Sequence, residues 1–123
     1  FTNSFKNIMN DKTIAKKISQ LMLDKKAIDI QIISVKDLTS ITDFFVNCTS
    51  QSEPQTRAIK NHIQDSLFEK YEMKPLHIEG YENLTWILMD YVSIVVNIFS
   101  ETEREYYSIE RLWSDAKITK VKE

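Results

Sequence analysis

Two acids pose the first chemical question. Asp43 opens the apolar run Asp43-Phe44-Phe45-Val46, and Asp90 closes the run Ile87-Leu88-Met89-Asp90. Carboxylates at strand ends can hold the paired metal ions of phosphoryl or nucleotidyl transfer. Such a site wants a second acid two residues beyond the first and a Gly-Ser turn ahead of it. Phe45 stands where that acid would be, and no Gly-Ser pair precedes Asp43. After Ser40 and Thr42, Asp43 reads instead as a turn or cap residue. The other reactive side chains are scattered. His62 and His77 lie in different stretches with no neighbouring Cys or second His, so a metal site is not expected. His62 reads as a helix-surface residue and His77 as a strand residue. Cys48 has no activating base nearby in sequence and reads as a small buried apolar group. Gly80 is the single glycine, which disfavours a loop that cradles phosphate through close backbone approach. No catalytic residue, metal ligand or cofactor is assigned.

Recognition is the chemistry that remains. The stretch 86–116 combines Trp86, Tyr91, Tyr106, Tyr107 and Trp113 with charges of both signs. A few aromatic and arginine anchors carry most of the binding energy of a protein interface. The chain as a whole has 16 basic and 18 acidic side chains, a net charge of −2. That balance argues against a general nucleic-acid binder, whose affinity rests on clustered Lys and Arg. Lone Cys48 cannot form an internal disulfide, which fits a reducing cytoplasmic compartment. No apolar run approaches the roughly 20 residues of a membrane span, and no signal-peptide pattern opens the chain.

The elements that must position these residues follow from periodicity. Ile14, Ile18 and Leu21, with Ala15 and Met22, form one apolar helical stripe, and Asp11 is a plausible cap. Residues 28–32 alternate apolar and polar, as a half-buried strand does. Residues 37–40 make a turn, and 44–49 a second strand. Ser52-Glu53-Pro54 starts a helix, with proline where its missing N–H is harmless; Ala58, Ile59, Ile63, Leu67 and Tyr71 supply its buried stripe. Residues 76–80 form a short strand and turn. Residues 86–90 and 94–99 are joined too tightly for a crossover helix and form an antiparallel hairpin. Residues 101–113 form a last helix. Its Tyr106 and Tyr107 diverge by about 100°, Trp113 packs inward with Ile109, and Glu103, Arg104, Glu105 and Glu110 read as a solvated face. At 123 residues this is one α/β domain, a mixed sheet of about five strands flanked by helices. Its expected limits are 11–116, with 1–10 an extension and 117–123 a tail.

Several strings in this order resemble the bacterial ribosomal silencing factor family, also called RsfS or Iojap. They are Ser40-Ile41-Thr42-Asp43-Phe44-Phe45-Val46, His77-Ile78-Glu79-Gly80, Trp86-Ile87-Leu88-Met89-Asp90-Tyr91, Val95-Val96-Asn97-Ile98-Phe99, and Glu103-Arg104-Glu105-Tyr106-Tyr107 continuing through Glu110-Arg111-Leu112-Trp113-Ser114-Asp115-Ala116. Each is short; their order and spacing over about 11–116 make the match specific. The chain departs from the family pattern at Ser50, where glycine is usual, at Val92-Ser93, where Gly-Asp is usual, and at Asn97, where histidine is usual.

The resemblance implies a nucleotidyltransferase-related fold without chemistry. It implies binding to large-subunit ribosomal protein fourteen, a block on joining of the small subunit, and lowered translation when nutrients are scarce, as in stationary phase. Composition alone would put Trp86 in the core; the resemblance puts it on the ribosome-facing surface. Along the strand Trp86, Leu88 and Asp90 share one face, and Ile87, Met89 and Tyr91 the other. The expected contact patch is Trp86, Asp90, Tyr91 and Tyr107, and a basic ribosomal partner would give the acids of the last helix a second use. The alternative function is a nucleotide-binding protein or nucleotidyltransferase on the same fold. A homodimer paired through sheet edges or helices is a further expectation.

Overall fold

The computed structural model describes residues 10–80, 82, 84–103 and 116–121. The chain runs α1 (Asp11–Asp24), β1 (Ile28–Ser34), β2 (Phe44–Ser50), α2 (Glu53–Tyr71), β3 (His77–Glu79), β4 (Trp86–Asp90), β5 (Ile94–Ser100) and β6 (Lys117–Lys120). Residues 101–103 are also helical, and Ser100 Oγ accepts the Glu103 amide at 3.2 Å. The rest of the expected last helix, with Tyr106, Tyr107, Ile109 and Trp113, lies outside the described residues.

Local chemistry sets the helix ends. Asn10, not Asp11, caps α1: its Oδ1 accepts the Thr13 amide at 2.8 Å and the Thr13 hydroxyl at 2.9 Å. Asp11 follows as the acid of the first turn, where the helix dipole favours it. Ser52 caps α2 by accepting the Gln55 amide at 3.2 Å, with Pro54 in the first turn. Gln55 reaches out in both directions. Its Oε1 accepts the Gln51 amide at 2.7 Å, and its Nε2 donates to the Lys25 and Lys26 carbonyls at 3.0 and 2.9 Å. One side chain thus closes the start of α2 and satisfies carbonyls at the end of α1.

The strands form one open mixed sheet in the order β3-β4-β5-β2-β1-β6. Only β2 and β5 are parallel, in register from Phe44↔Ile94 to Ser50↔Ser100; every other neighbouring pair is antiparallel. Helix α2 is a crossover that carries the chain from β2 past two strand positions to the edge strand β3. The chain then returns inward through β4 and β5 to lie beside β2. The sheet has six strands rather than about five. Residues 117–120, read from sequence as tail, form β6 and pair with β1 from Gln31↔Lys120 to Ser34↔Lys117. Strand β1 bulges between Ile28 and Gln31, where Asp29 takes φ +50°.

Both helices lie on one face of the sheet. Ile14, Ile18 and Met22 of α1 and Ile59, Ile63 and Leu67 of α2 pack on Val46, Cys48, Ile87, Met89, Val96 and Ile98. Ala58 and Tyr71 are only half-buried, while Thr56 joins the buried stripe because its hydroxyl is held by Ser50 Oγ at 2.7 Å. The opposite face has a smaller cluster of Ile33, Val35 and Phe99, with Phe45, Trp86, Ala116 and Ile118 against it.

Candidate functional site

Alternation along β4 divides its residues as the pattern requires. Ile87 and Met89 are fully buried under the helices, while Trp86, Leu88 and Asp90 are half-buried on the opposite face. Trp86 leans on Phe99 of the paired strand, ring centroids 5.1 Å apart and planes tilted by 34°. Its indole Nε1 donates to Asn97 Oδ1 at 2.9 Å, and Asn97 Nδ2 donates to Asn47 Oδ1 at 2.9 Å. Asn47 and Asn97 are 0% and 1% exposed. An amide relay therefore crosses β2, β5 and β4 and ends on an indole that reaches the surface. Registers Gln31↔Asn47, Asn47↔Asn97 and Leu88↔Asn97 put the relay in one row across the sheet. Gln31 Oε1 and Asn47 Nδ2, at the far end, are buried without a partner among the described residues, so the relay is fully satisfied only toward the tryptophan.

Gly80 lies close against the backbone of Trp86. It sits at φ +81°, and a Cβ there would lie 1.8 Å from the Trp86 carbonyl oxygen. Only glycine allows that approach, which accounts for the glycine of the His77-Ile78-Glu79-Gly80 string.

Asp90 sits at the far end of β4 from Trp86 and works on its own turn. Its Oδ1 accepts the Val92 amide at 2.7 Å, and its Oδ2 lies 3.7 Å from His77 Nδ1. That Asx bond holds Val92 at φ +74°, a left-handed conformation that is an outlier for a β-branched residue. Glycine would take this conformation without strain. Tyr91 faces the other way. It is 6% exposed in the helix-side core, its hydroxyl has no partner among the described residues, and burial pushes that hydroxyl above its usual range. The Val92-Ser93 turn does not bring Tyr91 round to Trp86, so the expected four-residue patch loses it. Tyr107 lies outside the described residues.

Asp43 packs against the same turn. Its amide donates to the Ser93 carbonyl at 3.0 Å, and Ser93 Oγ donates to Asp11 Oδ1 at 3.1 Å. Burial and the neighbouring Asp11 carboxyl raise the Asp43 pKa above the usual aspartate value, opposed by Lys36. Among the described residues no group of three or more His, Cys, Asp or Glu side chains could hold a metal ion. His62 pairs with Asp24 at 2.9 Å and ties α2 to α1, and Cys48 is fully buried. The residue that sequence reasoning missed is Asn97, together with its partner Asn47. The available signal was a carboxamide at the centre of each of two otherwise apolar strands.

Fold and site define a class: a single α/β domain with a braced aromatic on the sheet face opposite α1 and α2. Comparison with known proteins gives the family. The family model for "Ribosomal silencing factor during starvation" matches residues 9–123, and the chain belongs to that family. It is 34% identical to the ribosomal silencing factor RsfS of Bacillus subtilis over 110 residues, covering 89% of this chain and 92% of that protein. It is 40% identical to RsfS of Halalkalibacterium halodurans, over 76% of this chain and 79% of that one. A crystal structure of a Chromobacterium violaceum protein, 30% identical, superposes with a TM-score of 0.81 over 86% of this chain and 88% of the other. The family supports a ribosome-associated role in repressing translation. Among the described residues no helix is long and apolar enough to cross a membrane.

Proposed function

We propose that this protein represses translation by occupying the large ribosomal subunit, through ribosomal protein fourteen, so that the small subunit cannot join. The action is steric and cytoplasmic: no bond is broken, no cofactor is needed, and the complex accumulates when nutrients are limiting. Family membership supports the ribosomal target. The observation that carries the contact is Trp86, which is half-buried while Asn97 and Phe99 hold its indole from behind. An anchor of this kind binds with little ordering penalty, because its rotamer is already set. Asp90 shares its face and shapes the adjoining turn. Tyr107 remains a proposed contact from sequence, and Tyr91 acts from the core. Cosedimentation tests the reading: the purified protein should pellet with large subunits and not with small ones, without added nucleotide or metal. Equal binding to both subunits, or binding to bare RNA with a steep salt slope, would point to charge-driven association instead.

A further inference from the structure

One concavity lies away from the Trp86 face, on the helix side of the sheet between α1 and the margin formed by β1 and β6. It encloses about 420 Å³, within the roughly 300–1,000 Å³ of small-molecule sites. Four lysines from three separate places converge on it: Lys12 and Lys16 one turn apart on α1, Lys36 just after β1, and Lys117 at the start of β6. All four are exposed, and no ion pair among the described residues engages any of them. Lys36 also feels the Asp43 carboxylate, but four lysines gathered on one groove stand out in a chain whose net charge is −2. The ladder register explains why the residues meet. Ser34 pairs with Lys117 and Ile32 with Thr119, so two hydroxyls and an aliphatic side chain lie in the same part of the groove. Leu38, 46% exposed, adds an apolar wall, and among the described residues Asp37 is the only acid of the lining.

We infer that this groove binds a nucleotide, with its phosphates on the lysines and its base against Leu38 and the apolar floor. The chain lacks the glycine loop that usually cradles phosphate through backbone amides. Lysine ammonium groups from separate elements can serve instead as point charges for phosphate oxygens. Asp37 suits a nucleotide better than a bare anion, since its carboxylate can accept from a ribose hydroxyl or a base amino group. The groove is compact, which favours a small ligand over a long polyanion that must cross the surface of a net-negative chain. This inference is independent of how the protein meets the ribosome.

The test is titration of the full chain with N-methylanthraniloyl-ATP, followed by fluorescence and by competition. Saturable one-to-one binding is expected. Unlabelled ATP should compete, inorganic triphosphate should compete about tenfold less well, and adenosine should compete least. Lys16→Ala and Lys117→Ala should each raise Kd about tenfold, while Lys25→Ala, outside the groove, leaves it unchanged. An amide chemical-shift titration of the unmutated protein with ATP should show shifts confined to α1, residues 34–38 and β6, and this needs no variant to fold. Absence of saturable binding, equal competition by triphosphate, tighter displacement by a 20-nucleotide RNA, an equal effect of Lys25→Ala, or shifts elsewhere would each overturn the inference.

Discussion

The two faces of the sheet are built on different principles. The helix side is a continuous apolar layer in which Ile18, Met22, Ile59, Ile63, Ile87, Met89 and Ile98 are fully or almost fully buried. The opposite face places a row of amides between its apolar residues and ends in a half-buried tryptophan. Burial of apolar area is non-directional and tolerates exchange of one shape for another. Hydrogen-bonded amides in a buried site are directional, and each orphaned atom is penalised. The first face therefore supplies most of the stability, and the second spends some of it to fix the orientation of one ring.

Substitutions can separate the two principles. On the helix side, Ile98→Ala should lower the unfolding free energy by about 2–5 kcal/mol, through lost burial and a cavity, measured by urea denaturation. Tryptophan emission of the folded state should stay unchanged. On the relay, Asn47→Ala removes the acceptor for Asn97 Nδ2 and should cost about 1–3 kcal/mol. It should also shift the folded emission spectrum, and that shift should vanish in a Trp86→Phe background. An unchanged spectrum would mean that the relay does not position the indole. At the turn, Val92→Gly should raise stability by about 1 kcal/mol, because it relieves a side chain held at φ +74°. A loss would show that the exposed valine makes contacts worth more than its strain.

The smallest effect concerns pH. The folded pKa of Asp43 is raised above 3.8, chiefly by burial and then by Asp11. The fold therefore disfavours the charged form, and ionised Asp43 destabilises it. That destabilisation is fully present above the folded pKa and disappears as pH falls toward the unfolded value. Asp43→Asn should raise the melting temperature slightly at pH 7, with the gain shrinking as pH falls toward 4. A gain that grows in acid would reverse the sign of the account.

Elements with a clear period were legible in the sequence. The stripes of α1 and α2, the hairpin of β4 and β5, and the split of Trp86, Leu88 and Asp90 from Ile87 and Met89 all follow from spacing alone. Features that rest on long-range pairing were not. Lys117-Ile118-Thr119-Lys120 has two lysines and a short alternation, and it becomes a strand only because β1 offers a free edge. The parallel β2–β5 pair joins residues 50 positions apart, from Phe44 to Ile94, with α2, β3 and β4 between them. Asn97 looked like a lost histidine, because nothing local reveals that Asn47 stands opposite it in register. Tyr91 adjoins Asp90 in sequence, but Asp90 holds the turn and the Tyr91 ring stays in the core.

The central claim is that Trp86 anchors the protein on the large subunit and so blocks subunit joining. The direct measurement is a subunit-joining assay by sucrose-gradient sedimentation, run with the parent and with Trp86→Ala at matched folded concentration, checked by circular dichroism. The parent should hold subunits apart. Trp86→Ala should need roughly thirtyfold more protein for the same block, as expected when an anchor worth about 2 kcal/mol is removed. A folded Trp86→Ala protein that blocks joining as well as the parent would contradict the claim.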